Sequence, residues 1–416
     1  MSAAPVAPAD RADPRRLSRP EFVAMIAMLF ATIAFSIDAM LPALPEIAGA
    51  LTPEAPNRAQ LIVTAFVLGM GAGTFVTGPL SDAFGRKSVI LGGAALYVLG
   101  AALAWAAPSL EALLAGRLIQ GLGAAAPRVV AIAIVRDLYA GRGMAKIMSF
   151  VMTVFTLVPA AAPLLGSLIM AAVGWRGIFG AFALFSVATA AWLTVRQPET
   201  LPPSARRPLR LGRLASAARE VFSHRVVVVT TAAQSLAFGA LFAVISTIQP
   251  VFDQTFGRAE SFPLWFAAIA LVSASASLLN AALVGRLGMR RIARASLGAQ
   301  AAASGAAALL LGTGALSGEA AFAAYVLWCG SVFFTAGLVM GNLNALAMEP
   351  MGHIAGMAAS VIGAVSTVAA VLIAAPMGLA FDGTPLPIVL GVAAATALAA
   401  LLVARLRERP TVAAAR

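Results

Sequence analysis

The chain is poor in charged residues and contains almost no cysteine. Only 11% of its 416 residues are charged and 61% are hydrophobic, whereas a soluble domain carries about 25% charged residues. The single cysteine, Cys329, excludes an intrachain disulfide and provides no framework for a structural zinc site. The sequence also lacks a Gly-x-x-x-x-Gly-Lys-Ser/Thr loop and a cluster of metal-ligand residues. We therefore expect neither an enzyme nor an ATP-driven pump, and no metal or cofactor.

The regular alternation of apolar and polar residues that marks the strands of a membrane barrel is also missing. Instead, apolar runs long enough to cross a hydrocarbon core of about 30 Å recur along the whole chain. They predict an all-α membrane protein with twelve transmembrane helices, at about residues 21–45, 58–80, 88–107, 110–136, 145–172, 177–195, 226–250, 261–284, 292–315, 320–347, 354–379 and 387–404.

Cationic residues outnumber acidic ones by 29 to 17. They gather in alternate loops and in the two tails, and Arg58, Arg176 and Arg258 are the cations of the other set of loops. This distribution argues against nucleic-acid binding. The positive-inside rule places both termini in the cytoplasm, and we expect a multi-pass protein of the bacterial inner membrane.

The longest polar interruption, residues 196–225, falls near the middle of the chain. A glycine precedes paired cations once in each half, at Gly85-Arg86-Lys87 and at Gly288-Met-Arg290-Arg291. This weak repeat predicts two pseudo-symmetric six-helix bundles, with a substrate cavity between them near the membrane midplane. The predicted organisation is a cytoplasmic tail 1–20, a bundle 21–195, a cytoplasmic linker 196–225, a bundle 226–404 and a cytoplasmic tail 405–416.

Part of the linker carries apolar residues at helical spacing. Leu214, Ala218 and Val221 recur beside Arg219, as in an amphipathic helix that lies on an anionic inner leaflet. A solvated linker without such a helix is the alternative.

Three charged residues lie clearly inside the predicted helices, away from their ends: Asp38, Arg117 and Arg128. An ionised carboxylate at this depth costs several kcal/mol, so intramembrane acids face a bundle interior or a wet cavity and serve ion or proton pathways. At 1.5 Å per residue, Asp38 and Arg117 lie at levels that differ by about one helical turn. We predict a conditional pair, in which the arginine stabilises the carboxylate when close and releases it to bind a proton or a cationic substrate when the helices part. A permanent ion pair that only joins two helices is the alternative.

The fourth predicted helix carries a stripe of arginine and small residues. Arg117, Gly121, Ala124 and Arg128 share one face, with Gln120 beside it, and this face should contact a cavity or another helix rather than lipid. Arg128 could instead extend to the inner interface. Further cavity candidates, which core packing would explain equally well, are Phe35, Met40, Gln234, Phe238 and Phe242.

The loop from Gly78 to Lys87 combines a tight turn, an acid and two cations. It predicts a cytoplasmic gate, in which Asp82 caps the next helix or bridges to Arg136 until a conformational change breaks the contact. The predicted gate residues are Gly78, Asp82, Gly85, Arg86, Lys87 and Arg136.

Several of these segments resemble signatures of the major facilitator superfamily. Gly78-x-Leu80-x-Asp82-x-x-Gly85-Arg86-Lys87 is similar to its loop signature. Arg117-x-x-Gln120-Gly121-x-Gly123 is similar to its fourth-helix signature, whose arginine the family associates with proton coupling. Pro159-x-x-x-Pro163-x-x-Gly166 resembles the antiporter signature of helix five.

Other segments resemble the bicyclomycin- and chloramphenicol-resistance (Bcr/CflA) branch of that superfamily: Asp38-Ala-Met-Leu41-Pro42, Val135-Arg136-Asp137-Leu138 and Asn342-x-Asn344. The branch implies export of drugs against proton entry, with Asp38 at the position of its first-helix acid. The expected partners are a small, largely apolar substrate, protons and the lipid bilayer, with no nucleic acid, and we expect a monomer. Proton-coupled uptake of a metabolite and a membrane sensor or scaffold on a transporter-like fold remain alternatives.

Overall fold

A computed structural model describes residues 17–209 and 211–406, and these ranges contain helices and no β-strand. Serine hydroxyls cap the N-termini of two helices: Ser18 accepts from the backbone N–H of Glu21, and Ser109 from that of Ala112. The α-helices of the described ranges are α1 (Arg19–Asp38), α2 (Leu44–Leu51), α3 (Leu61–Phe84), α4 (Arg86–Trp105), α5 (Leu110–Leu138), α6 (Gly141–Arg196), α7 (Leu211–Ser223), α8 (Arg225–Pro250), α9 (Phe262–Leu287), α10 (Met289–Gly312), α11 (Gly318–Met348), α12 (Ala355–Leu379) and α13 (Leu386–Ala404).

Ten segments of the described ranges are long and apolar enough to cross a membrane. Two of them, Lys146–Arg196 with 51 residues and Gly318–Leu379 with 62, are each more than twice the length that one crossing requires. The first is interrupted at Gly174, whose φ of +71° breaks α6 into two arms. The second is interrupted by the 3₁₀ segment Glu349–Ile354 between α11 and α12. The all-α fold is therefore confirmed, and its helices are consistent with twelve crossings.

The first helix ends earlier than predicted. Its α-helical part stops at Asp38, and a 3₁₀ turn, Leu41–Ala43, leads into the short helix α2. Pro42 explains the difference, because it has no N–H to donate to the carbonyl of Asp38 four residues before it. The predicted span 21–45 lies within one apolar segment, Arg19–Leu51, but this segment is α1 followed by a 3₁₀ turn and α2 rather than one continuous helix. Asp38 therefore lies in the last turn of a helix rather than in its interior.

The helices pack as two sets that meet along two seams. Helices α1 and α3–α6 contact one another, as do α8–α13, and α3 with α12 and α6 with α9 form the main contacts between the sets. Close approach within the first set depends on glycine, since a Cβ at Gly69 would overlap the backbone carbonyl of Leu118 on α5. The domain limits at residues 195 and 226 remain predictions, and most of the predicted tails, residues 1–16 and 407–416, lie outside the described residues.

The seam between α3 and α12 is closed at both of its ends. At one end Asn57 Nδ2 donates to the carbonyl of Leu379 at 2.7 Å. At the other end Gly78 lies against Ser360, whose Oγ is 2.8 Å from the position of a Cβ on that glycine. We call the end that carries Gly78 and Arg86 the basic end, and the end that carries Asn57 the opposite end.

The predicted amphipathic helix in the linker forms as α7. Its apolar residues Leu214 and Val221 are 5% and 2% exposed and pack with residues of α8, α11 and α12, while Phe222 stays exposed. Glu220 of α7 also contacts His353 in the segment between α11 and α12, with 2.5 Å between Oε1 and Nε2. Its apolar face therefore binds mainly to the second set of helices.

Candidate functional site

Arg117 is fully buried at the contact of three helices. It lies on α5, and its guanidinium donates from Nη2 to the carbonyl of Ser36 on α1 at 2.9 Å, and from Nε to the carbonyl of Ile62 on α3 at 3.2 Å. Nη1 donates to Gln120 Oε1 at 2.7 Å. The ring of Phe66 stacks on the guanidinium, 4.4 Å away. Carbonyl dipoles and an aromatic face thus replace water around this cation.

The end of α1 provides one of these acceptors. The last carbonyls of a helix have no partner within it, and the break after Asp38 leaves the carbonyl of Ser36 free to accept from Arg117. A cation at this position also interacts favourably with the negative end of the helix dipole. Arg117 therefore caps the helix that carries Asp38.

Asp38 is 5% exposed, two residues beyond that hydrogen bond. Within residues 17–209 and 211–406, no hydrogen bond or ion pair of its carboxyl group is found. The structure thus places Asp38 and Arg117 at the same helix end but does not join them directly. Whether the two pair in another conformation remains a prediction.

Polar residues that the sequence did not single out extend this site. Ser36 donates its hydroxyl to the carbonyl of Thr32, and Tyr97 OH lies 2.5 Å from Ser36 Oγ, so the tyrosine is the donor of that pair. Tyr97 is 1% exposed. In the described part of the chain, Nε2 of Gln120 is buried without a partner. Ser36 and Tyr97 are uncharged, so nothing in the sequence distinguishes them from other polar residues. Their place in the site follows from the structure alone.

The predicted antiporter motif lies beside Asp38. Pro159, Pro163 and Gly166 are in the first arm of α6. A Cβ at Gly166 would overlap the backbone carbonyl of Ala39, the residue after Asp38. Gly121 has a similar position on α5, where a Cβ would overlap the carbonyl of Phe66 on α3. Both glycines thus permit close helix contacts, and the face of α5 that carries Gly121 contacts another helix here.

The remaining cavity candidates occupy packed surroundings. Phe35 contacts the rings of Phe182 and Phe185 at 5.2 and 5.4 Å. Met40 is fully buried, and Phe238 and Phe242 stack at 5.9 Å. Phe35, Met40 and Phe242 belong to one buried apolar cluster, against which Phe238 packs.

Two polar cavity candidates have no partner in the part of the chain that the structure describes. Gln234 is 5% exposed, and its Oε1 accepts no hydrogen bond there. Arg128 is half-buried on α5, and no hydrogen bond or ion pair of its guanidinium is found within the described ranges. Both side chains therefore retain hydrogen-bonding capacity for a ligand, and whether they line a cavity remains a prediction.

Arg86 organises the basic end. It is 3% exposed and donates from Nη1 to Asp82 at 2.5 Å and to Ser81 at 2.9 Å. Its Nε donates to Asp137 Oδ2 at 2.9 Å, and Thr200 Oγ1 donates to that same oxygen at 3.0 Å. One guanidinium thus joins the end of α3, the end of α5 and, through Asp137, the linker. Gly85, with φ of +99°, makes the turn that returns Arg86 toward Asp82.

Both predicted partners of Asp82 were wrong. The start of α4 is capped by Glu199, whose Oε1 accepts from the backbone N–H of Arg86 at 2.9 Å and whose Oε2 accepts from that of Lys87 at 3.0 Å. Asp82 pairs with Arg86 instead of Arg136, because Arg86 follows Asp82 by four positions across a tight turn. Arg136 extends toward α12, with Nη1 3.9 Å from the position of a Cβ on Gly356.

Lys87 and the linker complete this network. Lys87 Nζ donates to the carbonyls of Thr194 and Gln197 at 2.6 and 3.3 Å, at the end of α6. The sequence interpretation treated Glu199 as part of a polar interruption. The one sequence feature that could have indicated its role as a cap is its position directly after Pro198, just beyond an apolar run.

A cavity of about 650 Å³ lies at the opposite end, between the two sets of helices. It is lined by residues of the α1–α2 connection, α6, the end of α8 and the start of α9. None of the predicted cavity residues lines it. It begins at Pro42, just beyond the end of α1. The sequence did not predict it, because the acidic residues in its lining, Glu46, Asp253 and Glu260, lie in segments that were interpreted as helix ends and loops.

A bundle of apolar helices with a buried cationic site between them is an arrangement found in membrane transporters. A family model described as Major Facilitator Superfamily matches residues 24–375, so the chain belongs to the major facilitator superfamily. The predicted family is confirmed, and the protein is a multi-pass membrane transporter.

The similar proteins agree with the predicted branch. The chain is 32% identical over 280 residues to a bicyclomycin resistance protein homolog of Haemophilus influenzae, covering 67% of this chain and 70% of the relative. It is 38% identical over 168 residues to a chloramphenicol resistance protein of Pseudomonas aeruginosa, covering 40% of each. Among solved structures, a D-xylose-proton symporter matches with a TM-score of 0.72 at 15% identity, over 93% of this chain and 98% of that one. At this identity the last match concerns the fold alone.

Proposed function

We propose that the protein exports small, largely apolar compounds in exchange for protons, by alternating access in the bacterial inner membrane. The names of the similar resistance proteins favour export of drugs. The observation that carries the proposal is the position of Asp38, which is buried without a partner in the described ranges while Arg117 holds the end of its helix.

The coupling step follows from the cost of burying a charge. An ionised carboxyl without a partner in a low-dielectric interior is costly, so this conformation is compatible with a protonated Asp38. When the helices move so that Arg117 approaches Asp38, the arginine exchanges the Ser36 carbonyl for the Asp38 carboxylate, which then loses its proton. When the helices part, the arginine releases the carboxylate to bind a proton again. Proton release and helix movement are thereby one event, and Asp38 and Arg117 are the proposed coupling residues.

The gate is proposed at the basic end, which the positive-inside rule places in the cytoplasm together with both termini. Arg86 and its acidic partners hold α3, α5 and the linker together there. Opening toward the cytoplasm requires Gly78 and Arg136 to separate from α12, while the contacts of Gly85 and Lys87 keep the loop folded. Substrate then reaches the cavity residues predicted on α1, α5 and α8, and we expect a monomer to be sufficient.

Transport into proteoliposomes with an imposed pH gradient tests the proposal. Asp38→Asn keeps the size of the side chain and removes its titration, so we expect loss of gradient-driven substrate movement with substrate binding retained. Asp38→Glu should retain part of the activity. Asp382→Asn is the matched control, because Asp382 is an exposed loop acid whose carboxylate bonds locally to Thr384. Full gradient-driven transport by Asp38→Asn would falsify the coupling role.

The direction of movement tests the export half of the proposal. An exporter carries a labelled compound against the direction of proton movement, whereas an uptake symporter carries both in the same direction. Movement of substrate with the protons would replace the export proposal by proton-coupled uptake.

A further inference from the structure

The cavity at the opposite end combines acidic side chains with apolar walls. Glu46 on α2, Asp253 in the π-helical turn Val251–Thr255 and Glu260 before α9 contribute three carboxylates to its lining, and Met170 and Leu264 contribute apolar surface. Among the residues that the structure describes, no cationic side chain lines it. A volume of about 650 Å³ falls within the usual range for small-molecule sites.

The cations of the opposite end are engaged elsewhere. Arg58 pairs with Glu111 at 2.9 Å. Arg258 pairs with Glu319 and stacks over Phe322 at 4.5 Å. Arg176 donates to the carbonyls of Trp105 and Ala107. Within the described residues, the side chains of Glu46, Asp253 and Glu260 form no hydrogen bond or ion pair. Glu46 and Glu260 are exposed and Asp253 is half-buried, so all three carboxylates are accessible to a ligand.

A buried amide provides an independent sign of a ligand. Gln249 lines the cavity and is 2% exposed, and in the described part of the chain its Oε1 is buried without a hydrogen-bond donor. An acceptor in this state costs free energy unless a donor is supplied. Its neighbourhood therefore favours a ligand with both positive charge and N–H groups.

We propose that this cavity binds organic cations that carry N–H donors on an aromatic or aliphatic body. The carboxylates attract the charge, Gln249 accepts from an N–H group, and Met170 and Leu264 contact the apolar body. This inference rests on the export function proposed above, for which it names the substrate class and a site on the outer part of the path. The two sets of helices both line the cavity, so their relative movement changes its shape.

Equilibrium binding to the purified full chain tests the proposal. The probe is ethidium, a phenanthridinium cation with two amino groups, followed by fluorescence anisotropy, and the neutral dye Nile red is the comparison. A detergent without aminophospholipid prevents competition from ammonium headgroups. We expect the combined variant Glu46→Gln, Asp253→Asn, Glu260→Gln to bind ethidium at least tenfold more weakly and Nile red unchanged. Gln249→Leu should weaken ethidium about fivefold.

The control is the double variant Glu54→Gln, Asp382→Asn, which removes two exposed acids of the same end that do not line the cavity. It should bind ethidium like the wild type. Equal ethidium affinity in the wild type and the combined cavity variant would overturn the inference, as would parallel loss of ethidium and Nile red. A changed response to the pH gradient with unchanged ethidium affinity would assign the carboxylates to proton movement and overturn it too.

Transport separates this inference from the proposed function. If wild-type proteoliposomes export neither dye under a pH gradient, the export function fails. If they export both and the cavity variant exports ethidium at the wild-type rate, the export function stands and the cation site fails.

Discussion

Arg117 Nη2 donates a 2.9 Å hydrogen bond to the backbone carbonyl of Ser36, which ties the N-terminal third of α5 to the last turn of α1. Asp38 follows two residues later, so the only buried acid of α1 ends a helix whose carbonyls are held by a guanidinium. A carbonyl is an uncharged acceptor that a carboxylate can replace without loss of the hydrogen bond. This arrangement supports the proposal that Arg117 alternates between the two.

Arg117→Lys should disrupt this site although it conserves charge. A lysine ammonium cannot reproduce the planar fork that reaches Ser36, Ile62 and Gln120 together. Loss of buried bonds to a charged group costs about 1.5–3 kcal/mol each, so we expect a clearly lower melting temperature in detergent and at least tenfold slower gradient-driven transport.

Arg176→Lys is the matched control for that substitution. Arg176 also donates to two backbone carbonyls and lies over Trp175 at 4.1 Å, but its side chain is exposed. Water replaces lost contacts there, so its melting temperature should change little. Equal effects at positions 117 and 176 would argue against a special role of the buried site.

Gly166→Ala should separate α6 from the residue that follows Asp38. The added methyl overlaps the carbonyl of Ala39, which is backbone and cannot rotate away. Overpacking of this kind costs about 1–3 kcal/mol, and we expect reduced transport together with a lower melting temperature. Gly180→Ala, on the second arm of the same helix, meets nothing within 4 Å and should be neutral or slightly stabilising. Normal transport by Gly166→Ala would show that this contact is dispensable.

The helices were predictable because long apolar runs have few structural solutions in lipid. Their limits agree with the structure to within a few residues, apart from the first helix, where Pro42 ends the hydrogen-bond ladder that apolar composition alone would continue. A proline can bend or end a helix, and composition does not decide between these outcomes.

The site was only partly predictable. Asp38 and Arg117 were identified because a charged side chain inside a membrane span is costly and usually marks a functional site. The actual acceptors of Arg117 are backbone carbonyls, which every residue carries and no sequence pattern marks. The cap by Glu199 and the acidic cavity join segments that are far apart in the chain, so they follow from tertiary packing alone.

Glu199→Ala should loosen the start of α4. The carboxylate accepts from the two backbone N–H groups at the start of α4, of Arg86 and Lys87, and also from that of Leu201, and loss of such a cap costs about 0.5–2 kcal/mol. Hydrogen exchange at those two amides should accelerate, and Glu199→Gln should give a smaller effect because it retains one acceptor oxygen. Glu54→Ala removes an exposed acid that forms no hydrogen bond or ion pair within the described ranges, and it serves as the control. Unchanged exchange in Glu199→Ala would contradict the cap.

Arg86→Ala should open the basic end. It leaves Asp82 and Asp137 without their shared cation. Removal of one partner of a fully buried pair costs about 3–5 kcal/mol, and the cost here should be smaller because the side chains of Asp82 and Asp137 are 44% and 18% exposed. Ser360, which is 5% exposed opposite Gly78, reports the opening. With Ser360→Cys in a Cys329→Ser background, we expect a water-soluble maleimide to label position 360 at least tenfold faster when Arg86→Ala is added.

Asp382→Asn in the same background controls for charge loss at a distance, since Asp382 lies at the opposite end, and it should leave the labelling rate unchanged. Asp137→Asn should accelerate labelling less than Arg86→Ala, because Arg86 then keeps Asp82 and Ser81. If Arg86→Ala abolished transport while position 360 remained as protected as before, the ion pairs would support the fold of the loop without controlling access, and the gate would have to lie elsewhere along the seam of α3 and α12.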